Sequence, residues 1–94
     1  MLRIHIEPGP QDVTLRLEGK LIEPWVAELV TTWMELAQGP HAGKAVQIDL
    51  DAVSFVDSQG KSGLAALCRL GAELKGSGPF IAAVIQELRT ERSR

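Results

Sequence analysis

The chain lacks the features that mark secreted, membrane-spanning and nucleic-acid-binding proteins. Its 94 residues include one cysteine, Cys68, so no disulfide can form within the chain, which suits a reducing cytoplasm. No apolar run approaches the roughly 18 residues that a membrane-spanning helix needs, and the first residues show no signal-peptide pattern. The formal net charge is −2, so no strong field attracts nucleic acid or an anionic membrane. We therefore expect a cytoplasmic protein with no nucleic-acid partner and no membrane insertion.

Residue patterns for catalysis and metal binding are also missing. The chain has two histidines, His5 on the polar face of a predicted strand and His41 in a predicted turn. Nothing in the sequence brings either of them to a serine as a general base. Asp49, Asp51 and Asp57 lack the partner pattern of a metal site. We expect no catalytic residue, no metal ion and no cofactor, and hence a protein that is not an enzyme.

The stretch FVDSQGKSG, residues 55–63, contains the end of a nucleotide-binding P-loop motif in Gly60-Lys61-Ser62. That motif requires a further glycine at position 55, where this chain has Phe55. An aromatic side chain there is incompatible with an open nest of backbone N–H groups around a phosphate. The stretch is therefore not a P-loop.

The spacing of apolar residues predicts two strands and a helix in the first half of the chain. Apolar and polar residues alternate over residues 2–6 and 12–18, which is typical of strands with one buried face. The short turn Pro8-Gly9-Pro10 makes them an antiparallel pair. A helix is predicted to begin at Pro24 and to end at Gly39-Pro40.

The second half of the chain repeats the alternation of strand and helix. Residues 45–50 read as a third strand, which residues 51–56 extend loosely, and Ser58 is predicted to be the N-cap of the next helix. The apolar face of that helix runs over Leu64, Leu67, Cys68, Gly71 and Leu74. Residues 80–84 are predicted to form a fourth, buried strand, and residues 85–92 a short last helix.

The predicted order ββαβαβα defines an α/β fold. Strands that alternate with helices imply crossover connections and parallel pairing. We expect a single domain over residues 1–94, with a mixed, mainly parallel four-stranded sheet and one antiparallel strand.

Ser58 is the most informative polar residue of the stretch. A helix start offers free N–H donors and the positive end of the helix dipole, so a phosphate is tolerated there. Phosphorylation adds about −1.5 to −2 charges and would disrupt an apolar docking surface. Gly60 would let the backbone of a partner approach closely. The alternative role for Ser58 is a plain N-cap that contributes about 1 kcal/mol.

At these residues the chain resembles the STAS domain, the family of bacterial anti-sigma factor antagonists. The resemblance covers nearly the whole chain and rests on Gly19-Lys20-Leu21, the strand at residues 46–50 and the run at 53–60. Within that run, Asp57-Ser58-Gln59-Gly60 is similar to the family's Asp-Ser-x-Gly signature. The resemblance implies that a partner kinase, the anti-sigma factor, phosphorylates Ser58 and that phosphorylation ends binding. It places partner binding at Asp57, Ser58, Gln59, Gly60 and Lys61.

The chain departs from the family pattern at three points. Lys61 stands where the family usually has leucine, and Ile22 stands where it usually has an acid. The chain also stops after the short last helix, where many STAS domains continue, so the fold is predicted to be shortened at its C-terminus. Apolar surface left open by that shortening suggests a homodimer.

These observations predict a protein-binding regulator that resembles an anti-sigma factor antagonist. Its partner would be an anti-sigma factor or serine kinase-like protein. The first alternative is a non-switching STAS subunit of a larger assembly, such as a lipid-transport ABC complex. The second is an enzyme that uses Ser58 or Asp57.

Overall fold

A computed structural model describes residues 1–39 and 42–92 and contains the predicted sequence of elements. Pro40 and His41, predicted to follow the first helix, lie outside the described residues. The strands and helices are β1 (Leu2–Pro8), β2 (Asp12–Leu21), α1 (Trp25–Gln38), β3 (Ala45–Val56), α2 (Ser58–Arg69), β4 (Glu73–Lys75) and α3 (Pro79–Arg92). The order ββαβαβα is therefore confirmed. Among the described residues, no helix is long and apolar enough to cross a membrane.

The four strands form one mixed sheet in the order β1-β2-β3-β4. β1 pairs with β2 antiparallel, whereas β2–β3 and β3–β4 are parallel. This confirms the mainly parallel sheet with one antiparallel strand. Because both crossovers step in the same direction across the sheet, right-handed connections place α1 and α2 on the same face.

One face of the sheet carries the core and the other is open. Along β2, Val13, Leu15 and Leu17 are fully buried, whereas the residues between them are only partly buried. α3 contacts α2 and β3, so it belongs to the same layer. The fully buried large side chains come from two strands, β2 and β3, and two helices, α1 and α2: Val13, Leu15, Leu17, Leu21, Leu29, Ile48, Leu50, Leu64 and Leu67.

The open face carries ion pairs. Arg16 donates to Glu7 at 3.0 Å and to Glu18 at 3.1 Å. The hydrogen bond and charge of Glu7 raise the pKa of the Arg16 guanidinium above its usual value. His5 lies on this face, as predicted, with Nε2 at 3.4 Å from Oε1 of Glu18 but without hydrogen-bond geometry.

The prediction that α2 extends through Gly71 to Leu74 is wrong. The helix ends at Arg69, and Gly71 follows with φ +110°. The N–H of Gly71 donates to the carbonyl of Cys68, and the N–H of Ala72 donates to that of Leu67, both at 3.0 Å. These two bonds form a Schellman motif, in which glycine takes the left-handed conformation that other residues avoid. Gly71 thus terminates the helix.

The predicted strand over residues 80–84 is also wrong, because these residues form the first turns of α3. Pro79 occupies the first helical position, where its missing N–H costs nothing. Ile81, Val84, Ile85 and Leu88 are buried at helical spacing. The fourth strand is instead the three-residue β4, which pairs with the middle of β3.

Candidate functional site

The candidate site lies where β2 and β3 end and α2 begins. Leu21 and Val56, the last residues of the two strands, are paired in register. Asp57 follows directly, and its N–H donates to the carbonyl of Leu21 at 3.4 Å. In open α/β sheets, ligands bind outside the carboxyl ends of the strands.

Asp57 caps α2, so the prediction that Ser58 is the N-cap is wrong. Oδ1 of Asp57 accepts a hydrogen bond from the N–H of Gly60 at 2.7 Å. The carbonyl of Asp57 accepts the first helical bond, from the N–H of Lys61, at 2.9 Å. A carboxylate is an effective cap because it accepts a backbone N–H and also complements the positive end of the helix dipole. This geometry frees Ser58 from the capping role.

Ser58 is the first residue of α2 and is exposed. Within residues 1–39 and 42–92, its hydroxyl makes no hydrogen bond. In the same part of the chain, the backbone N–H groups of Ser58 and Gln59 have no acceptor. The start of α2 therefore presents a hydroxyl and two N–H donors to solvent.

Gly60 is buried beneath this surface. A Cβ at this position would lie well inside contact distance of the Leu21 carbonyl oxygen and 2.8 Å from Cγ1 of Val56. The expectation that Gly60 lets a partner's backbone approach is therefore corrected: the close backbone is the domain's own β2. Gly60 supports the site from inside and does not form its outer surface.

Lys61 is paired with a residue that the sequence did not identify. Its Nζ lies 3.1 Å from Oε2 of Glu87 on α3, and both side chains are partly exposed. The carboxylate offsets the unfavourable position of a cation in the first turn of a helix. Ser58, Lys61 and Glu87 line one surface depression, together with Ser62, Ala65 and Arg69.

Phe55 is an exposed aromatic residue two positions before Asp57, near the end of β3, and the sequence reasoning missed it. Its exposed fraction is 48%, although the flanking Val53 and Val56 are buried. Gly19 pairs with Val53 and Lys20 with Phe55, so Ser54 is an extra residue on β3. Such a bulge redirects the side chains that follow it. The uneven apolar spacing of Val53 and Val56 was the available sequence signal.

The three aspartates considered as metal ligands each accept a hydrogen bond from a backbone N–H. Asp49 accepts the N–H of Asp51 at 3.0 Å, and Asp51 accepts the N–H of Ser77 at 2.6 Å. Asp57 caps α2 as described. Among the described residues, no group of three or more His, Cys, Asp and Glu side chains is placed to hold a metal ion.

We refer to Phe55, Asp57, Ser58, Gln59 and Lys61 as the α2 docking surface. Asp57, Ser58, Gln59 and Lys61 follow one another in the sequence, interrupted by the buried Gly60. Phe55 is separated from Asp57 by Val56, the last residue of β3. The surface combines one aromatic ring, one uncommitted hydroxyl and one charge of each sign.

No family model matches the chain, and no curated protein matches its sequence. Solved structures do match. The unphosphorylated form of the anti-sigma factor antagonist SpoIIAA is 23% identical with a TM-score of 0.66, over 89% of this chain and 82% of that one. A DUF3478-family protein from Shewanella loihica, described as having a SpoIIAA-like fold, is 18% identical with a TM-score of 0.54, over 84% and 70%.

Part of a larger protein shares the same architecture. Mglu in its native form is 16% identical with a TM-score of 0.63, and the match covers 78% of this chain but 23% of Mglu. Together these similarities show that the chain has the SpoIIAA-like, STAS-like fold. The fold predicted from Asp57-Ser58-Gln59-Gly60 and the element order is therefore confirmed.

Proposed function

We propose that the protein is a regulatory domain that binds an anti-sigma factor or a related serine kinase through the α2 docking surface. Phosphorylation of Ser58 ends that binding. The observation that carries the proposal is the exposed, uncommitted hydroxyl of Ser58 at the start of α2. Because Asp57 makes the cap, modification of Ser58 removes no hydrogen bond from the fold.

The domain is able to carry a phosphate at this position without unfolding. The N–H groups of Ser58 and Gln59 point out of the helix start, where an anion is favoured by about 0.3–1 kcal/mol. Lys61 lies one turn further on, and its ion pair within the described residues is with the partly exposed Glu87. We expect a phosphate on Ser58 to compete with that carboxylate for Lys61. The adjacent Asp57 opposes the phosphate, but its Oδ1 is engaged by Gly60.

Partner binding is more sensitive to the phosphate than the fold is. A partner that covers Phe55 and Ser58 removes water from both. Enclosing about −1.5 to −2 charges there incurs a desolvation penalty, and a nearby acidic group on the partner would add repulsion. SpoIIAA, whose fold this chain shares, is an anti-sigma factor antagonist that has been solved in its unphosphorylated form.

The phosphorylation step is tested with purified protein, ATP and a candidate kinase anti-sigma factor. Intact mass measurement is expected to show the gain of one phosphate, and Ser58→Ala is expected to abolish it. Ser62→Ala is the matched control, because Ser62 is also exposed and lines the same depression. Unchanged mass with a kinase that binds the protein, or a phosphate that survives in Ser58→Ala, would contradict the proposal.

The docking step is tested by calorimetry with the same partner. Phe55→Ala is expected to weaken binding about tenfold or more, which corresponds to loss of an aromatic contact of about 1.4 kcal/mol. Phe80→Ala is the matched control, because Phe80 is 45% exposed but lies on α3. If Phe55→Ala and Phe80→Ala weaken partner binding equally, the partner does not bind through a specific contact with Phe55. Stable co-purification with an ATPase subunit and no phosphate would favour the non-switching assembly subunit instead.

A further inference from the structure

β1 presents an unused edge of the sheet. The strand has seven residues and pairs with β2 on one side. Among the described residues, no strand pairs with its other side, because β1 is the first strand in the sheet order. A strand edge exposes alternate backbone N–H and C=O groups, which are a template for pairing with another chain.

The sequence of β1 is complementary to itself. It reads LRIHIEP from Leu2 to Pro8. If a second copy runs antiparallel with its centre at His5, Arg3 of each copy faces Glu7 of the other. In the same register, Ile4 of each copy faces Ile6 of the other. Opposite charges and apolar residues that face each other across two strands are the pairs that stabilise antiparallel sheets.

We propose that a second copy of this chain pairs with β1 in this register, about a two-fold axis through His5. The proposal concerns a surface separate from the α2 docking surface and does not rest on the proposed function. The charge and apolar complementarity of β1, together with its open edge, identify another copy of the chain as the occupant.

The register follows from the two faces of the sheet. Arg3, His5 and Glu7 lie on the open face, whereas Leu2 and Ile4 turn toward the core. Facing residues must therefore both be odd-numbered or both even-numbered. Centring the pair on Ile4 would bring Arg3 opposite His5, and centring it on Ile6 would shorten the ladder. The centre at His5 uses all seven residues of β1 and pairs every charge with its opposite.

The exposure of the strand agrees with this arrangement. Leu2 is 5% exposed and Ile4 is packed against the core, but Ile6 is 48% exposed. The pairing brings Ile4 of the second copy beside Ile6 and removes apolar surface from water. Pro8, which has no N–H to donate, falls at the end of the ladder opposite Leu2, where proline is tolerated.

The charge pairs are tested by sedimentation velocity over a concentration series. Arg3→Glu places two carboxylates opposite each other at both ends of the ladder and is expected to raise the dimer dissociation constant about tenfold or more. The double variant Arg3→Glu/Glu7→Arg restores opposite charges and is expected to return it close to the original value. Lys75→Glu, the same charge change on the opposite sheet edge, is expected to have no effect. A monomer at every concentration, or a double variant no better than Arg3→Glu, would overturn the proposal.

The register is tested independently by single cysteines in a Cys68→Ala background whose folding is confirmed by circular dichroism. His5→Cys is expected to form a disulfide-linked dimer under mild oxidation, because only residue 5 faces its own symmetry mate. Ile4→Cys and Ile6→Cys alone are expected to form no disulfide-linked dimer, whereas an equimolar mixture of the two is expected to cross-link. Cross-linking of Ile4→Cys or Ile6→Cys alone, or none with His5→Cys, would refute the register.

Discussion

Gly60→Ala adds one methyl group at the point where α2 meets the sheet. The new Cβ would overlap the backbone carbonyl oxygen of Leu21 and lie 2.8 Å from Cγ1 of Val56. The Leu21 carbonyl belongs to the backbone of the paired end of β2 and cannot rotate away as a side chain does, so the start of α2 must move. Overpacking of this kind costs about 1–3 kcal/mol. The movement also weakens the Asp57 cap, whose full loss costs about 1 kcal/mol.

The helix preference of alanine opposes this destabilisation and reduces the net loss of stability in Gly60→Ala. Alanine is favoured over glycine inside a helix by roughly 1 kcal/mol, and Gly60 already has a helical conformation with negative φ. The expected net destabilisation is therefore about 2 kcal/mol. For a domain of this size, that corresponds to a fall in melting temperature of roughly 10 °C. Chemical denaturation, with the slope compared between variants, measures the free energy of unfolding directly.

Gly63→Ala is the matched control on the same helix. A Cβ there meets one atom, Cγ1 of Val26, at 2.6 Å. That atom ends a side chain on α1, which moves more easily than backbone, and the same helix preference favours alanine. We expect Gly63→Ala to stay within about 1 kcal/mol of the unmodified protein. If Gly60→Ala is as stable as Gly63→Ala, the close contact between α2 and the end of β2 is refuted.

Three further outcomes follow from the described contacts. Asp57→Ala removes the cap of α2 and is expected to lower the free energy of unfolding by about 1 kcal/mol in urea denaturation; no loss would mean that the cap contributes nothing. A double-mutant cycle with Lys61→Met and Glu87→Gln is expected to give a coupling of about 0.2–1 kcal/mol that falls with added salt, because the pair is partly exposed. A salt-independent coupling would contradict that reading. The Cys68 thiol, 8% exposed, is expected to react with Ellman's reagent much more slowly in the folded protein than in urea, and equal rates would show that α2 opens readily.

The sequence predicted most of the fold because its periodic signals are local. The alternation over residues 2–6 and 12–18 and the helical spacing after Pro24 reflect one buried face each, and β1, β2 and α1 form there. The fourth strand was misplaced because β4 has three residues and is extended only where β3 lies beside it. Residues 80–84 are an apolar run that suits either a strand or a buried helix turn. Pro79 and the spacing from Ile81 to Leu88 were the signals for a helix.

The candidate site was located from the sequence, but its internal roles were not. Asp57 and Ser58 are both good caps, and only the geometry shows that Asp57 is used. The pairing of Lys61 with Glu87 joins residues on two helices, and no local pattern encodes it. The burial of Gly60 against Leu21 also depends on how α2 docks on the sheet. The local sequence pattern thus identifies the stretch, whereas the role of each residue in it depends on tertiary packing.

The unequal edges of the sheet determine what kind of assembly this domain is able to build. β4 has three residues and β1 has seven, so within the described chain the two outer edges differ in length by more than a factor of two. Head-to-tail growth would require β1 of one copy to join β4 of the next, and a three-residue template supports little of that ladder. Pairing of β1 with β1 consumes the long edge of both copies at once and therefore closes the assembly. Because β4 is short, its edge offers few backbone groups for pairing, and this limits polymerisation of the sheet into fibres.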